Sequence, residues 1–412
     1  LSIREDFPIL EQKINDYPLV YLDSAASSLR PRQVIEAMAA YEAQDHSNIH
    51  RSSHTLSQRA CERYEQSREN LRRWLGAGHA HEIIFTRGAT EAINLVAWGW
   101  GLRHLRRGDR ILLTALEHHA NIIPWQIIAQ RTGAELHYIP LDPNNCILDL
   151  SQLDELLNAE TCIVSMSHIS NVFGTIQPIE AVIRRAREVG AIVMIDGAQS
   201  TPHLPIDVQA LDCDFFACSA HKMCGPTGIG LLYGKTELLQ DMDPIFGGGG
   251  MISSVDWHSS TWADLPHRFE AGTAAIAAAI GWSAAVDYLR NIGLDQIAQR
   301  EAELVDYTLA RLHEIDNIEI YAHHIPRIGV ISFNLPDIHA YDLGQLLDLN
   351  GVAIRTGHHC AQLLMRSLQI SGTARVSLYL YNTKSDIDAL IDAIKFAQDL
   401  LTKPRSFKCT AL

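Results

Sequence analysis

Lysine is scarce in this 412-residue chain. There are seven, at positions 13, 222, 235, 384, 395, 403 and 408. Lys222 stands apart, because it follows an apolar run and precedes the glycine turn Gly225-Pro226-Thr227-Gly228. A lysine held in a partly desolvated rim can shed its proton and attack a carbonyl carbon. The plain alternative is a surface lysine with its stem laid on apolar neighbours. A second candidate nucleophile is Cys360, in Arg355-Thr356-Gly357-His358-His359-Cys360-Ala361. A cysteine in apolar surroundings is usually a small core residue. Here the flanking Gly-His-His reads as polar and flexible, and His358, His359 and Arg355 are candidates to favour the reactive thiolate. The other seven cysteines, at 61, 146, 162, 213, 218, 224 and 409, form no C-x-x-C pair and read as structural. Reduced thiols in a cytosol-like compartment follow.

Polar clusters punctuate the chain after successive apolar runs. They are Arg87-Gly88-Ala89-Thr90, then Glu117-His118-His119-Ala120-Asn121, then the stretch from Ser167 to Asn171. Asp196-Gly197-Ala198-Gln199 and Ser219-Ala220-His221-Lys222 follow. Singly, each reads as a turn or cap. Together they offer an anion seat, a flat ring, a carboxylate and an amine, which is what pyridoxal phosphate needs. Ala89 and Thr90 at a helix start, with Ser219 and His221, suit the phosphate. Asp196 suits the pyridine nitrogen, Gln199 the phenolic oxygen, and His118 the ring face.

These clusters must be positioned by strands. Seven short apolar runs read as strands, at 82–86, 110–114, 135–139, 162–166, 191–195, 214–218 and 230–233. Most are separated by helical patterns, which predicts an α/β fold with a mostly parallel sheet covered by helices. The last two, joined by a Gly/Pro turn, suit antiparallel pairing. Ligands of such sheets bind beyond the carboxyl ends of the strands. After the glycine run 247–250, a smaller α+β pattern follows, with strands at 330–333, 352–354 and 374–378 and a final helix capped by Thr383 with Asp386. The expected division is an N-terminal arm (1–15) packing near the small domain, a large domain (16–290), a small C-terminal domain (291–403) and a disordered tail (404–412). The net charge of -14 and the absence of basic blocks argue against nucleic acid or anionic membrane as partners. The uncharged, Ala-rich stretch 271–286 is too short for a membrane span. The first residues lack a signal-peptide pattern, so a cytoplasmic location is expected, or an organelle if a leader was removed. His46, His50 and His54 would line one face of a helix, but their Ser/Asn context reads as loop, and no metal site is expected.

The blocks quoted above, together with Tyr21-Leu22-Asp23-Ser24-Ala25-Ala26, His50-Arg51, Phe269-Glu270-Ala271-Gly272-Thr273 and Tyr381-Asn382-Thr383, span nearly the whole chain. They resemble the fold-type I, class V aminotransferase superfamily, and within it the Suf-type (group II, NifS-like) cysteine desulfurases. Arg-x-Gly-His-His-Cys-Ala discriminates best. The resemblance implies a seven-stranded, mostly parallel sheet and a homodimer. It implies that Lys222 binds pyridoxal 5'-phosphate covalently, that Asp196, Gln199, Ala89, Thr90, His118, Asn171, Ser219 and His221 complete the cofactor site, and that Thr273 reaches the phosphate from the neighbouring subunit. Arg375, Asn171, Arg355, His50 and Arg51 would bind substrate. Cys360 would accept sulfur from L-cysteine, leaving alanine, with Lys222 and His118 as its catalytic companions. A small SufE-like or SufU-like carrier would take the sulfur toward iron–sulfur cluster assembly. Rival readings are a selenocysteine lyase acting on L-selenocysteine, another C–S lyase, an aminotransferase, or a non-catalytic scaffold that binds the cofactor. Two positions depart from the family pattern: Ala274 follows Thr273 where proline is common, and Ala220 stands where glycine is frequent.

Overall fold

The computed structural model describes residues 3–50, 53–142 and 146–402; Arg51 and the expected disordered tail lie outside the described residues. Seven strands form the central sheet: β1 (Ile83–Thr86), β2 (Arg110–Thr114), β3 (Glu135–Ile139), β4 (Thr161–Ser167), β5 (Ile192–Asp196), β6 (Phe215–Ser219) and β7 (Gly230–Gly234). Their spatial order is β1-β7-β6-β5-β4-β2-β3. The five strands from β6 to β3 pair in parallel, while β7 pairs antiparallel with both β6 and β1. Six of the seven runs are buried on both sides because apolar clusters cover both sheet faces, so alternation is lost and an apolar run replaces it; the edge strand β3 is only partly buried.

Gly230 shows how tightly the first turn is drawn onto the sheet. A Cβ there would lie 2.4 Å from the Cα of Gly88 and 2.6 Å from the carbonyl oxygen of Cys218, so no side chain fits.

The second sheet holds β8 (Glu319–Ile320), β9 (Val330–Asn334), β10 (Arg355–Gly357) and β11 (Thr373–Ser377), ordered β8-β9-β11-β10 and antiparallel throughout. The single strand expected at 352–354 is split. Val352–Ala353 pairs in parallel with Val20–Tyr21, and Arg355–Gly357 turns into the small sheet. Residue 290 falls inside the helix Ile276–Ile292, whose buried face carries the uncharged stretch. The final helix, Lys384–Thr402, begins as expected: the Thr383 N–H donates to Asp386 Oδ2 at 3.0 Å and the Asp386 N–H to Thr383 Oγ1 at 3.4 Å. The arm reaches this region through Arg4, which pairs with Asp386 at 2.9 Å. His46, His50 and His54 share no helix: one helix ends at Gln44, the next begins at Thr55, and His54 caps it. Among the described residues no helix is long and apolar enough to cross a membrane.

Candidate active site

The carboxyl ends of β1, β2, β4, β5 and β6 open on one cavity of about 320 Å³, at the low end of the range small-molecule sites occupy, about 300–1,000 Å³. Beyond β1, Gly88 leads into the helix Ala89–Val96, whose first N–H groups have no partner within the helix. The Ala89 N–H donates to Ser219 Oγ at 2.8 Å, which leaves the Ser219 hydroxyl proton free for an anion. Asp196 ends β5; its Oδ1 accepts from the Ala198 N–H at 2.9 Å, and burial pushes its carboxyl up from the ordinary value. Lys222 lies half-buried in the short turn after β6 and lines the cavity. Burial draws its pKa down to about 8, although the Asp196 charge pulls the other way. His118 accepts the Ala120 N–H on Nδ1 at 3.0 Å. Burial, then the charge of Lys222, lowers its pKa to about 3, so the ring is neutral and carries its proton on Nε2.

The opposite wall comes from the small sheet and the segment after it. Arg375 on β11 is buried. It donates to the Asn171 carbonyl at 2.7 Å and to Asp23 at 3.2 Å, while its Nε is buried without a hydrogen-bond partner. Arg355 on β10 pairs with the same Asp23 at 2.8 Å. Past β10 the chain turns through Gly357 (φ +109°), His359 (φ +50°) and Cys360 (φ +55°). Two consecutive non-glycine residues in the left-handed region cost roughly 1–2 kcal/mol each, so this turn persists only because its surroundings hold it. Asn171 Nδ2 donates to the His359 carbonyl at 2.7 Å, and the Cys360 N–H donates to His358 Nδ1 at 3.1 Å. Cys360 is exposed, and it lines the cavity with Lys222. The six other described cysteines are buried or half-buried; burial pushes Cys162 up to about 11 and Cys213 and Cys218 up to about 12.

A family model for aminotransferase class-V matches residues 20–390. The chain belongs to the class-V aminotransferase family. Its relatives include a probable cysteine desulfurase of Halalkalibacterium halodurans, 50% identical over 96% of this chain and 97% of that protein. Another, from Synechocystis sp., is 47% identical over 96% and 94%. Among solved structures, the cysteine desulfurase CsdA of Escherichia coli superposes with a TM-score of 0.90, at 39% identity over 97% of this chain and 98% of that one.

In this class-V aminotransferase chain the cavity gathers Ala89, Thr90, His118, Asn171, Asp196, Gln199, Ser219, His221, Lys222, Arg355, Cys360 and Arg375. Thr273 and His50 line a separate cavity of about 290 Å³. Two expectations need correction. The Gly-His-His segment is not a loose polar loop: Gly357 ends a strand, and His359 is buried with Nε2 against Thr373 Oγ1 at 2.9 Å. Burial and Arg375 hold the pKa of His359 down to about 3, so it brings no positive charge to the thiol. Asn171 and Gln199 also have structural duties, the first on the His359 carbonyl and the second donating to the Ala25 carbonyl at 2.9 Å.

Asp23, Ser167 and His119 were missed as site residues, although each sits in or beside a quoted block. One group among the described residues could offer three ligands to a metal: His50, Glu65 and His267, with ligand atoms within 4.8 Å of one another. Glu65 is already paired with the buried Arg68 at 2.9 Å.

Proposed function

We propose that this protein is a cysteine desulfurase that uses pyridoxal 5'-phosphate and carries sulfur from L-cysteine on Cys360. The observation that carries the reading is the meeting of a half-buried lysine of lowered pKa, an exposed cysteine and the buried carboxylate of Asp196 in one cavity. The donor set fits the cofactor. Free N–H groups of the helix Ala89–Val96, the Ser219 hydroxyl, Thr90 and His221 suit the phosphate, and the neutral face of His118 suits the ring. When bound, the cofactor supplies an electron sink for the carbon beside the substrate amine.

The chain's own groups do the rest. Asp196 keeps a proton on the ring nitrogen. Arg375, which lines the cavity, offers a charge-assisted bond to the substrate carboxylate, supported by Arg355. Lys222, neutral in an appreciable fraction near pH 8, takes the substrate α-proton. The Cys360 thiolate attacks the substrate sulfur; the carbon–sulfur bond breaks, its electron pair stays with carbon, and a proton there completes alanine. Cys360 is left as a persulfide.

The proposal extends to a homodimer in which Thr273 and His50, which line a cavity separate from that of Lys222, serve the partner's site. A small carrier protein would then take the sulfur toward iron–sulfur cluster assembly in the cytoplasm. L-Cysteine incubation followed by mass spectrometry of the Cys360 peptide tests the reaction, with L-selenocysteine run beside it. A persulfide on wild type, absent from Cys360→Ser, is expected. Equal alanine output from Cys360→Ser would refute the acceptor role. Much faster turnover of the selenium substrate would favour the selenocysteine lyase reading.

A further inference from the structure

His119 holds the backbone at the reactive cysteine and two residues beyond it. Its own N–H donates to the Cys360 carbonyl at 2.7 Å. Its ring Nε2 accepts the Gln362 N–H at 3.1 Å. These bonds brace the C-terminal side of a turn whose residues His359 and Cys360 are left-handed, a conformation the chain does not keep unaided. Asn171 grips the same turn one residue earlier, through the His359 carbonyl. Three bonds from two large-sheet loops therefore fix a short segment of the other sheet's neighbourhood. Only one of them, the ring bond, can be removed by changing a side chain while leaving the cavity lining intact, because His119 itself does not line the cavity.

We propose that His119 is a positioning residue that aims the Cys360 thiol into the cavity by clamping Gln362. The inference rests on the reading of Cys360 as sulfur acceptor, and its test separates the two. The ring can accept this bond only while Nε2 is unprotonated. The titratable groups facing it are His358, with ring centroids 5.6 Å apart, and His118, at 6.3 Å. Burial, with the His358 charge as a smaller cause, keeps the His119 pKa below the ordinary value, so the clamp is closed at neutral pH and opens on acidification.

The test uses the holoenzyme as wild type, His119→Ala and His119→Gln, since a glutamine oxygen can replace Nε2 as acceptor and does not titrate. Amide hydrogen exchange of the peptide 358–366, corrected for intrinsic rate, is measured at about pH 7.5 and about pH 5.5. Cysteine turnover is measured alongside. His119→Ala should speed exchange at Gln362 and lower kcat, each by about tenfold, with KM little changed. The cofactor's yellow colour should stay. His119→Gln should restore both protection and turnover. Wild type should lose protection at the lower pH and the glutamine variant should not; this comparison needs no alanine variant to fold. Unchanged exchange in His119→Ala, or lost kcat with protection intact, would overturn the clamp. A wild type that forms no persulfide while the exchange pattern holds would sink the proposed function and leave the clamp standing.

Discussion

Glu117 shows how much of a site can lie behind its visible wall. It is fully enclosed and accepts four hydrogen bonds, from Thr114 Oγ1, Ser167 N–H, Ser167 Oγ and Asn121 Nδ2, at 2.6–2.9 Å. Burial outweighs these donors and raises its pKa from 4.5 to about 7. The folded chain therefore keeps a proton that the unfolded chain releases, and this group's contribution to stability declines as pH rises from about 4.5 to about 7. Glu117→Gln should flatten that stretch of a plot of unfolding free energy against pH; an unchanged slope would refute the assignment. Arg375→Ala should raise KM for cysteine by tenfold or more, on the order of one lost charge-assisted bond, and a KM equal to wild type would remove it from substrate binding. Lys222 and Cys360 were legible in the sequence because their types are scarce and their flanks unusual. Asp23, Glu117 and His119 were not. Their meaning lies in partners far along the chain, as with Asp23 and Arg355, 332 residues apart.

The extended stretch from Val20 to Leu29 works as an element even though little of it is regular. It pairs with Val352–Ala353, bonds to Ser377 through the Ser24 N–H at 3.3 Å, and meets His221 through the Ser28 N–H at 2.8 Å. Ser28 Oγ then accepts the Cys224 N–H at 2.7 Å, where Cys224 has φ +62°. One strip thus ties the lysine turn to the small sheet. Ser28→Ala leaves that buried N–H unpaired, which costs about 1–3 kcal/mol, and should lower the unfolding midpoint and speed loss of cofactor colour on dialysis. Wild-type stability and retention would show that the strip is not a brace. Six of the seven central strands were legible because burial on both faces produces plain apolar runs. The edge strand Glu319–Ile320 and the hairpin Ile252–Val255 with Ser260–Trp262 were not, since they are short and largely exposed and leave no period to read.

At the scale of the molecule, that hairpin is the feature one chain alone does not explain. Val255 is 66% exposed, Trp257 94% and Trp262 42%, and Phe246 nearby is 44% exposed. A two-stranded hairpin is at best marginally stable in water by itself, and grouped large apolar side chains mark contact surfaces. The proposed occupant is a second copy of the chain, because Thr273 and His50, which line a cavity separate from that of Lys222, then gain a role in the partner's site. Light scattering should give twice the chain mass, and Trp257→Ser should weaken association. A sharper test mixes two defective chains. Lys222→Ala abolishes the site it belongs to, while Thr273→Ala weakens a site across the interface. In a mixed dimer, the Thr273→Ala subunit keeps its own Lys222 and receives Thr273 from its partner, so one complete site forms. Co-refolding the two variants should therefore yield turnover above that of either alone, approaching one quarter of wild type when half the dimers are mixed. If Thr273 acts on its own subunit, both sites of the mixed dimer stay defective and mixing restores nothing.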